Sequence, residues 1–194
     1  MRYEIQFYDY WHTGSGLSAG TRADQVVNKT PDGFPLVPGK TIKGLLRHAA
    51  EDLRDFKHEG ITNDFICDVF GERHRKRDEK PDADLPDRLT KIAKSYFSNA
   101  ELSAATRTAL RDDKDYLYDI LSSTAIDPKP GTAKDHSLRQ MEVSVPLKLY
   151  GSIEFNEALP DYTAALTACM NYVKRLGQNR SRGLGRCRIQ PIDA

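Results

Sequence analysis

The stretch from Lys174 to Arg188 holds six cations, Lys174, Arg175, Arg180, Arg182, Arg186 and Arg188, and not one acid. The whole chain has a formal charge of only +1, so this run is a local positive patch in a chain whose remainder is net negative. Gly177, Gly183 and Gly185 are interleaved with the arginines. Glycine lets a backbone pass close to a ligand with its N–H groups exposed, a device used to hold phosphates. The alternative is a glycine bulge with solvated arginines, and the acid-free run favours phosphate over it. A second pair of cations, Lys43 and Arg47, stands four residues apart just inside the start of a helix. Free N–H groups and the dipole at a helix start favour an anion and oppose a cation. Two cations there fit a phosphate that offsets the repulsion, or ordinary solvated side chains; Gly44 between them fits close approach of a ligand, or a helix-packing contact. Residue types leave both pairs of readings open. Neither G-x-x-x-x-G-K-[ST] nor a strand-bound G-x-G-x-x-G with its downstream acid occurs, so a polynucleotide backbone fits better than a mononucleotide.

These cations need elements to position them. Past the Pro38-Gly39 turn, Ile42, Leu45, Leu46, Ala49, Ala50, Leu53 and Phe56 recur at three-and-four spacing and predict a helix with one apolar stripe toward the core. Residues 2–9 alternate, with Tyr3, Ile5 and Phe7 on one face, which predicts a half-buried strand. The glycine-rich segment from Trp11 to Gly33 reads as a surface loop closed by a tight turn at Asp32-Gly33, which returns the chain to a short strand at Phe34. Ile61 to Phe70 reads as a short helix ended by Gly71. Tyr96 and Phe97 mark a strand. Between Ser122 and Gln140 lies a polar segment too long for a hairpin turn. Met141 to Phe155 alternates regularly enough for one long strand, with Pro146 implying an edge or bulge. Pro160 to Gly177 predicts a second long helix carrying Tyr162, Leu166, Cys169, Val173 and Leu176 on one stripe, and Cys187 and Ile189 point inward from a last strand. Strand, helix, strands, helix, strand is the order of an α+β, ferredoxin-like fold, with two helices on one sheet face and the other face free.

At 194 residues with 39% hydrophobic content, the chain is read as one domain spanning 1–194. Three cysteines without C-x-x-C spacing fit neither a disulfide framework nor a zinc site, and point to a reducing cytoplasm. No apolar run is long enough to span a membrane and the N-terminus has no signal-peptide core, so no membrane partner is expected. Residues 72–87, ERHRKRDEKPDADLPD, are nearly all charged, the basic half followed by an acidic half, and read as a solvated insertion.

Together these pieces resemble the RAMP superfamily of CRISPR proteins. PLVPGKTIKGLLR at 35–47 is similar to its proline-glycine, lysine-glycine, arginine signature, and LGQNRSRGLGRCRI at 176–189 to its C-terminal glycine-rich loop. VFG at 69–71, YFSNAEL at 96–102 and TAIDPKPGTAKDHSLRQMEV at 124–143 stand in the order seen in backbone subunits of type III effector complexes. The resemblance implies an RNA-recognition-like palm that binds guide RNA, stacked with other RAMP subunits and the large subunit, with target RNA paired to the guide and a thumb hairpin interrupting that duplex. It implies guide contacts at Lys43, Arg47, Arg180, Arg182, Gly183, Gly185 and Arg186. It places the thumb at about 122–142, with Ile126, Lys129, Arg139 and Met141 as its contacts and Ile126 and Met141 as wedges against bases.

In cutting members of that superfamily a loop aspartate upstream of the signature supports metal-dependent cleavage of target RNA, and Asp24 matches the position to within one residue; the alternative is a structural loop aspartate. No cofactor is expected to be tightly bound; a lone carboxylate would hold magnesium weakly, with help from RNA phosphates. The rival reading is a metal-independent, guide-processing endoribonuclease of the same superfamily, with His12 or His48 as general acid or base; the alternative for His12 is a histidine that simply hydrogen-bonds its loop. A third is a structural adaptor that does not touch RNA. The chain departs from the family pattern where Lys40-Thr41 replaces paired serines and where the 72–87 insertion has no counterpart.

Overall fold

The computed structural model describes residues 1–20, 23–72, 92–157 and 159–192. The charged insertion therefore lies, except for Glu72, outside the described residues. The chain is a mixed α/β protein with two antiparallel sheets. Strands β1 (Arg2–Phe7), β2 (Ser95–Phe97), β5 (Lys148–Phe155) and β6 (Cys187–Ile192) form a four-stranded sheet in the order β2-β5-β1-β6. Strands β3 (Tyr118–Ser123) and β4 (Arg139–Ser144) form a separate two-stranded hairpin. Among the described residues the helices are α1 (Gly39–Asp55), α2 (Asn63–Phe70), α3 (Ala104–Ala109) and α4 (Thr163–Tyr172), with short 3-10 turns at Lys114–Leu117 and Arg180–Arg182.

The alternation read at the N-terminus sets the core. Tyr3, Ile5 and Phe7 are fully buried beneath α1 and α4, together with Leu149, Ile153 and Ile189 from the neighbouring strands. Register puts Tyr3 opposite Gly151, and a side chain at 151 would collide with the Tyr3 ring, so the one gap in the β5 pattern is the space that ring fills. The α1 stripe is buried at Ile42, Leu46, Ala49, Ala50 and Leu53, whereas Phe56, beyond the last helical residue, is 72% exposed. The α1 start has no capping side chain; instead the Asn99 Oδ1 accepts from the Gly39 N–H at 3.0 Å. Cys169 and Cys187 are core residues whose thiols burial pushes up to about 12, so both stay protonated at neutral pH.

Three expected elements change. The long strand over 141–155 breaks at Pro146, which cannot donate to a ladder, and its halves join different sheets. The helix expected to run to Gly177 stops at Tyr172, and Val173 turns extended; Leu176 is still fully buried, but as part of a strand-like return in which Arg175 bridges Arg186. The Phe34 strand is reduced to isolated bridges, Lys29 with Pro35 and Val37 with Ala100, although the turn forms as expected, with Gly33 at φ 84°. The loop from Trp11 is not superficial. Trp11 stacks on Phe7 at 4.4 Å between ring centroids, and Trp11, His12, Ala23 and Val27 are buried.

Gly39 starts α1 against the backbone of β2, and a β-carbon there would fall on the Phe97 carbonyl. Alanine gains up to about 1 kcal/mol over glycine inside a helix, but a main-chain oxygen in a sheet cannot yield. Gly39→Ala is expected to lower stability by about 1–3 kcal/mol, read as a lower urea midpoint with unchanged slope.

Candidate nucleic-acid interface

Residue 142 on β4 fixes much of the local geometry. Its side chain is buried and charged, and a buried charge must be paired. Glu142 Oε1 pairs with Lys29 Nζ at 2.9 Å and Oε2 accepts from the Val27 N–H at 3.2 Å. Lys29 also lies 3.8 Å from the Tyr118 ring centroid, and burial with the Glu142 charge raises the Tyr118 phenol. The Glu142 N–H donates to Gln25 O at 2.9 Å, and its carbonyl accepts from His12 Nδ1 at 2.6 Å. Glu142, together with the Ser144 backbone, which exchanges two hydrogen bonds with Trp11, thus holds the 24–29 loop and the 11–14 segment to the hairpin.

Asp24 is fastened the same way. Its N–H donates to Gln140 O at 2.8 Å and its Oδ2 accepts from the Gln140 N–H at 2.8 Å, and among the described residues Oδ1 has no partner and lies at an exposed position. Asp24 opens on a cleft of about 490 Å³ that also takes in His136, Arg139, Met141, Gln178 and Arg182. Residues expected from three separate segments, the loop carboxylate, the hairpin base and the glycine-rich loop, are brought together there. Ile126 is instead at the far tip, 64% exposed and bridged to Ala133, while Met141 sits at the base, its sulfur accepting from Asn179 Nδ2 at 3.7 Å. Lys129 is also at the tip, its N–H donating to Asp127 Oδ1 at 3.0 Å.

The glycine-rich loop runs from Gly177 to Gly185 with Gly177, Asn179, Gly183 and Gly185 all at positive φ. A β-carbon on Gly177 would strike the His12 backbone, and one on Gly185 would strike Leu176 O, so these glycines serve close packing within the chain. The N–H groups of Gln178, Arg182, Leu184 and Gly185 all donate to carbonyls of this chain. A β-carbon on Gly183 would meet nothing within 4 Å among the described residues, and its positive φ of 88° is the turn's requirement. Those amides are therefore not free to meet an anion, and the groups this loop offers one are its arginines. Arg180 and Arg182 are exposed and have no carboxylate partner among the described residues. Arg186 differs: its Nε lies 3.3 Å from Asp9 Oδ2, an acid far outside the 174–188 run.

The two cations of α1 part company. Arg47 Nε donates to Glu51 Oε1 at 3.0 Å, and both side chains are largely buried, so Arg47 braces the helix. Lys43 has no carboxylate partner among the described residues; burial, then the Arg47 charge, lowers its ammonium below the ordinary lysine value. An ammonium depressed this way gains from any anion that approaches. A β-carbon on Gly44 would meet no atom of another element within 4 Å among the described residues, so none of them gives Gly44 a helix-packing role. At about 100° per residue, positions 43 and 47 point nearly opposite to 41, 45 and 48. Thr41, Leu45 and His48 are what α1 presents to the loop, in a pocket shared with His12, Gln178 and Arg180.

Magnesium can be tested against these residues. No group of three His, Cys, Asp or Glu side chains fit to hold a metal occurs among the described residues. Magnesium is commonly held by one or two carboxylates with water and substrate phosphates completing its shell. Asp24 Oδ1 fits as one such ligand and no more. Among the described residues no helix is long and apolar enough to cross a membrane.

The family model for the RAMP superfamily matches residues 5–188. A solved structure described as the Type III-B Cmr-beta bound to cognate target RNA contains a chain of the same fold, at TM-score 0.65 and 13% identity, covering 97% of this chain and 95% of that one. The apo state of Type III-B Cmr-beta gives TM-score 0.65 at 14% identity with the same coverage. No curated protein sequence matches.

Glu142→Ala is expected to free the loop at Val27 and Lys29 and cost about 1–3 kcal/mol, with Glu142→Gln milder because one acceptor survives. Hydrogen exchange should accelerate in peptides covering 23–30 and stay unchanged in β1 and β5; uniform acceleration would mean the effect is global.

Proposed function

We propose, from the premise that this chain belongs to the RAMP superfamily, that it is a guide-RNA-binding backbone subunit of a type III CRISPR effector complex in antiviral defence. The observation that carries this reading is the cleft joining Asp24, the hairpin base and Arg182. An acid beside cations at the root of a projecting hairpin suits a place where a strand is held by its phosphates and cut or parted. The strand order β2-β5-β1-β6 supports a ferredoxin-like palm, and β3 with β4 supports the thumb. Ile126 at the tip is the wedge, while Met141 lines the cleft. Arg180, Arg182 and Lys43 are the phosphate contacts, and neighbouring RAMP subunits, the large subunit and target RNA are the partners. Three free thiols suit a cytoplasmic assembly.

Cutting of target RNA is the added activity. Bound magnesium would neutralise charge on the scissile phosphate. Asp24 offers Oδ1 while Oδ2 keeps the loop on Gln140; Arg139 and Arg182 hold phosphate oxygens and orient the strand across the cleft. The rival, metal-independent processing by His12 or His48, draws support from their sharing one pocket, although the His12 side chain is fully buried. A non-binding adaptor would leave unexplained Arg180 and Arg182, exposed and without a carboxylate partner among the described residues.

Replacing Arg180 and Arg182 with Gln is expected to weaken single-stranded RNA binding for every sequence tried and to flatten the salt dependence by about one unit of slope per lost phosphate contact. Lys43→Gln should act likewise with a smaller effect. Unchanged affinity and slope in filter binding would move the RNA elsewhere.

Asp24→Asn retains the acceptor for the Gln140 N–H and removes the charge. In an assembled complex with complementary target RNA and magnesium it should stop cleavage and keep target affinity. Cleavage at the wild-type rate would make Asp24 a structural residue, and cleavage of guide precursor in the presence of chelator would favour the histidine mechanism.

A further inference from the structure

The His12 side chain is fully buried, and its two ring nitrogens are in different situations. Nδ1 lies 2.6 Å from the Glu142 carbonyl, which can only accept, so Nδ1 carries the proton and Nε2 of the neutral ring is left as an acceptor. Nε2 has no hydrogen-bond partner among the described residues. A buried acceptor without a donor is costly, and such groups are rare in folded proteins. The ring lines a pocket of about 290 Å³, walled by Thr41, Leu45, Leu176 and Gly177 and rimmed by Arg180 and His48. Gly14 beside it has no side chain; a β-carbon there would sit 3.1 Å from His12 Nε2 and 3.0 Å from Gln178 Nε2.

We infer that this pocket takes a ribose of the bound RNA and that its 2′-hydroxyl donates to His12 Nε2. The inference rests on the RNA-binding reading above and deepens it by naming the group recognised. The pocket is far larger than the about 30 Å³ that one water occupies. No Phe, Tyr or Trp lines it, and its imidazoles are those of the fully buried His12 and of His48, so it is poorly suited to stacking a base. Leu45 and Leu176 suit the carbon face of a sugar, and Arg180 at the rim suits its phosphate. Of the groups on a nucleic-acid backbone only the 2′-hydroxyl is a donor, and it distinguishes RNA from DNA. His12 is thus a specificity residue fixed in one tautomer by the same residue that holds the Asp24 loop.

Two substitutions separate the roles of the ring. Asn at 12 places an N–H where Nδ1 stands and so keeps the bond to Glu142, but has no acceptor at the Nε2 position; Gln reaches that position and can accept. The probes are a short mixed-sequence single-stranded RNA and the same strand with all sugars 2′-deoxy or all 2′-fluoro, the last keeping an RNA-like pucker without a donor. Wild type is expected to bind RNA roughly three- to tenfold tighter than the 2′-fluoro strand. His12→Asn should bind both alike with unchanged salt slope, and His12→Gln should recover part of the preference. Equal wild-type affinity for RNA and 2′-fluoro strands overturns the inference, as does a preference that survives in His12→Asn, which would assign Nε2 to water or to the Gln178 amide. Either result with salt-dependent RNA binding intact leaves the RNA-binding reading standing, whereas absence of RNA binding by the wild type removes both.

Discussion

A charged carboxylate cannot be left unpaired in a protein interior, and the placement of Glu142 on β4 turns that rule into architecture. Its side chain claims Lys29 and the Val27 N–H, its amide claims Gln25, and its carbonyl claims His12. The long connection between β1 and α1 is thereby laid along the hairpin instead of straying over the surface. Asp24 owes its position to this, since the Gln140 bonds that hold it are the next step of the same parallel contact between Gln25 and Met141. The hairpin is therefore both the projecting element and the wall against which the carboxylate and the His12 ring are set.

The glycine-rich loop divides its work between backbone and side chain. Gly177 and Gly185 allow it to lie directly on the backbones of His12 and Leu176, where any β-carbon would collide. Packing that tight leaves little freedom for the loop, so Arg180 and Arg182 project from a rigid base toward two adjoining hollows, Arg182 into the Asp24 cleft and Arg180 at the rim of the His12 pocket. Preplaced cations lose less entropy on meeting a phosphate than flexible ones. On the proposed reading one strand crosses both hollows.

Much of the fold was legible because it rests on periodicity. The Tyr3, Ile5, Phe7 alternation and the α1 stripe each gave a correct element with its buried face, and the Asp32-Gly33 turn and the Gly71 helix end were readable from single residues. What failed depended on partners distant in sequence. Pro146 was seen, but whether it bulges a strand or sends its halves to different sheets is decided by what lies on either side. Trp11 and His12 looked like loop residues because burial came from β4, more than a hundred positions away. In the candidate site, Asp24, Arg180, Arg182 and Arg139 were legible as residue types in motif order. Glu142 was missed because an acid in an alternating strand reads as outward-facing, and Arg186 and Arg47 looked free because Asp9 and Glu51 pair with them only in the folded chain.

The central claim is that RNA follows the seam formed by residues 12–14, the glycine-rich loop and the base of the hairpin. Photo-cross-linking of bound single-stranded RNA carrying 4-thiouridine, with adducts mapped by mass spectrometry, tests it directly. Adducts are expected on peptides covering 12–14, 176–186 and 139–141. Adducts confined to the outer face of the four-stranded sheet, at Lys148 and Arg188, would contradict it.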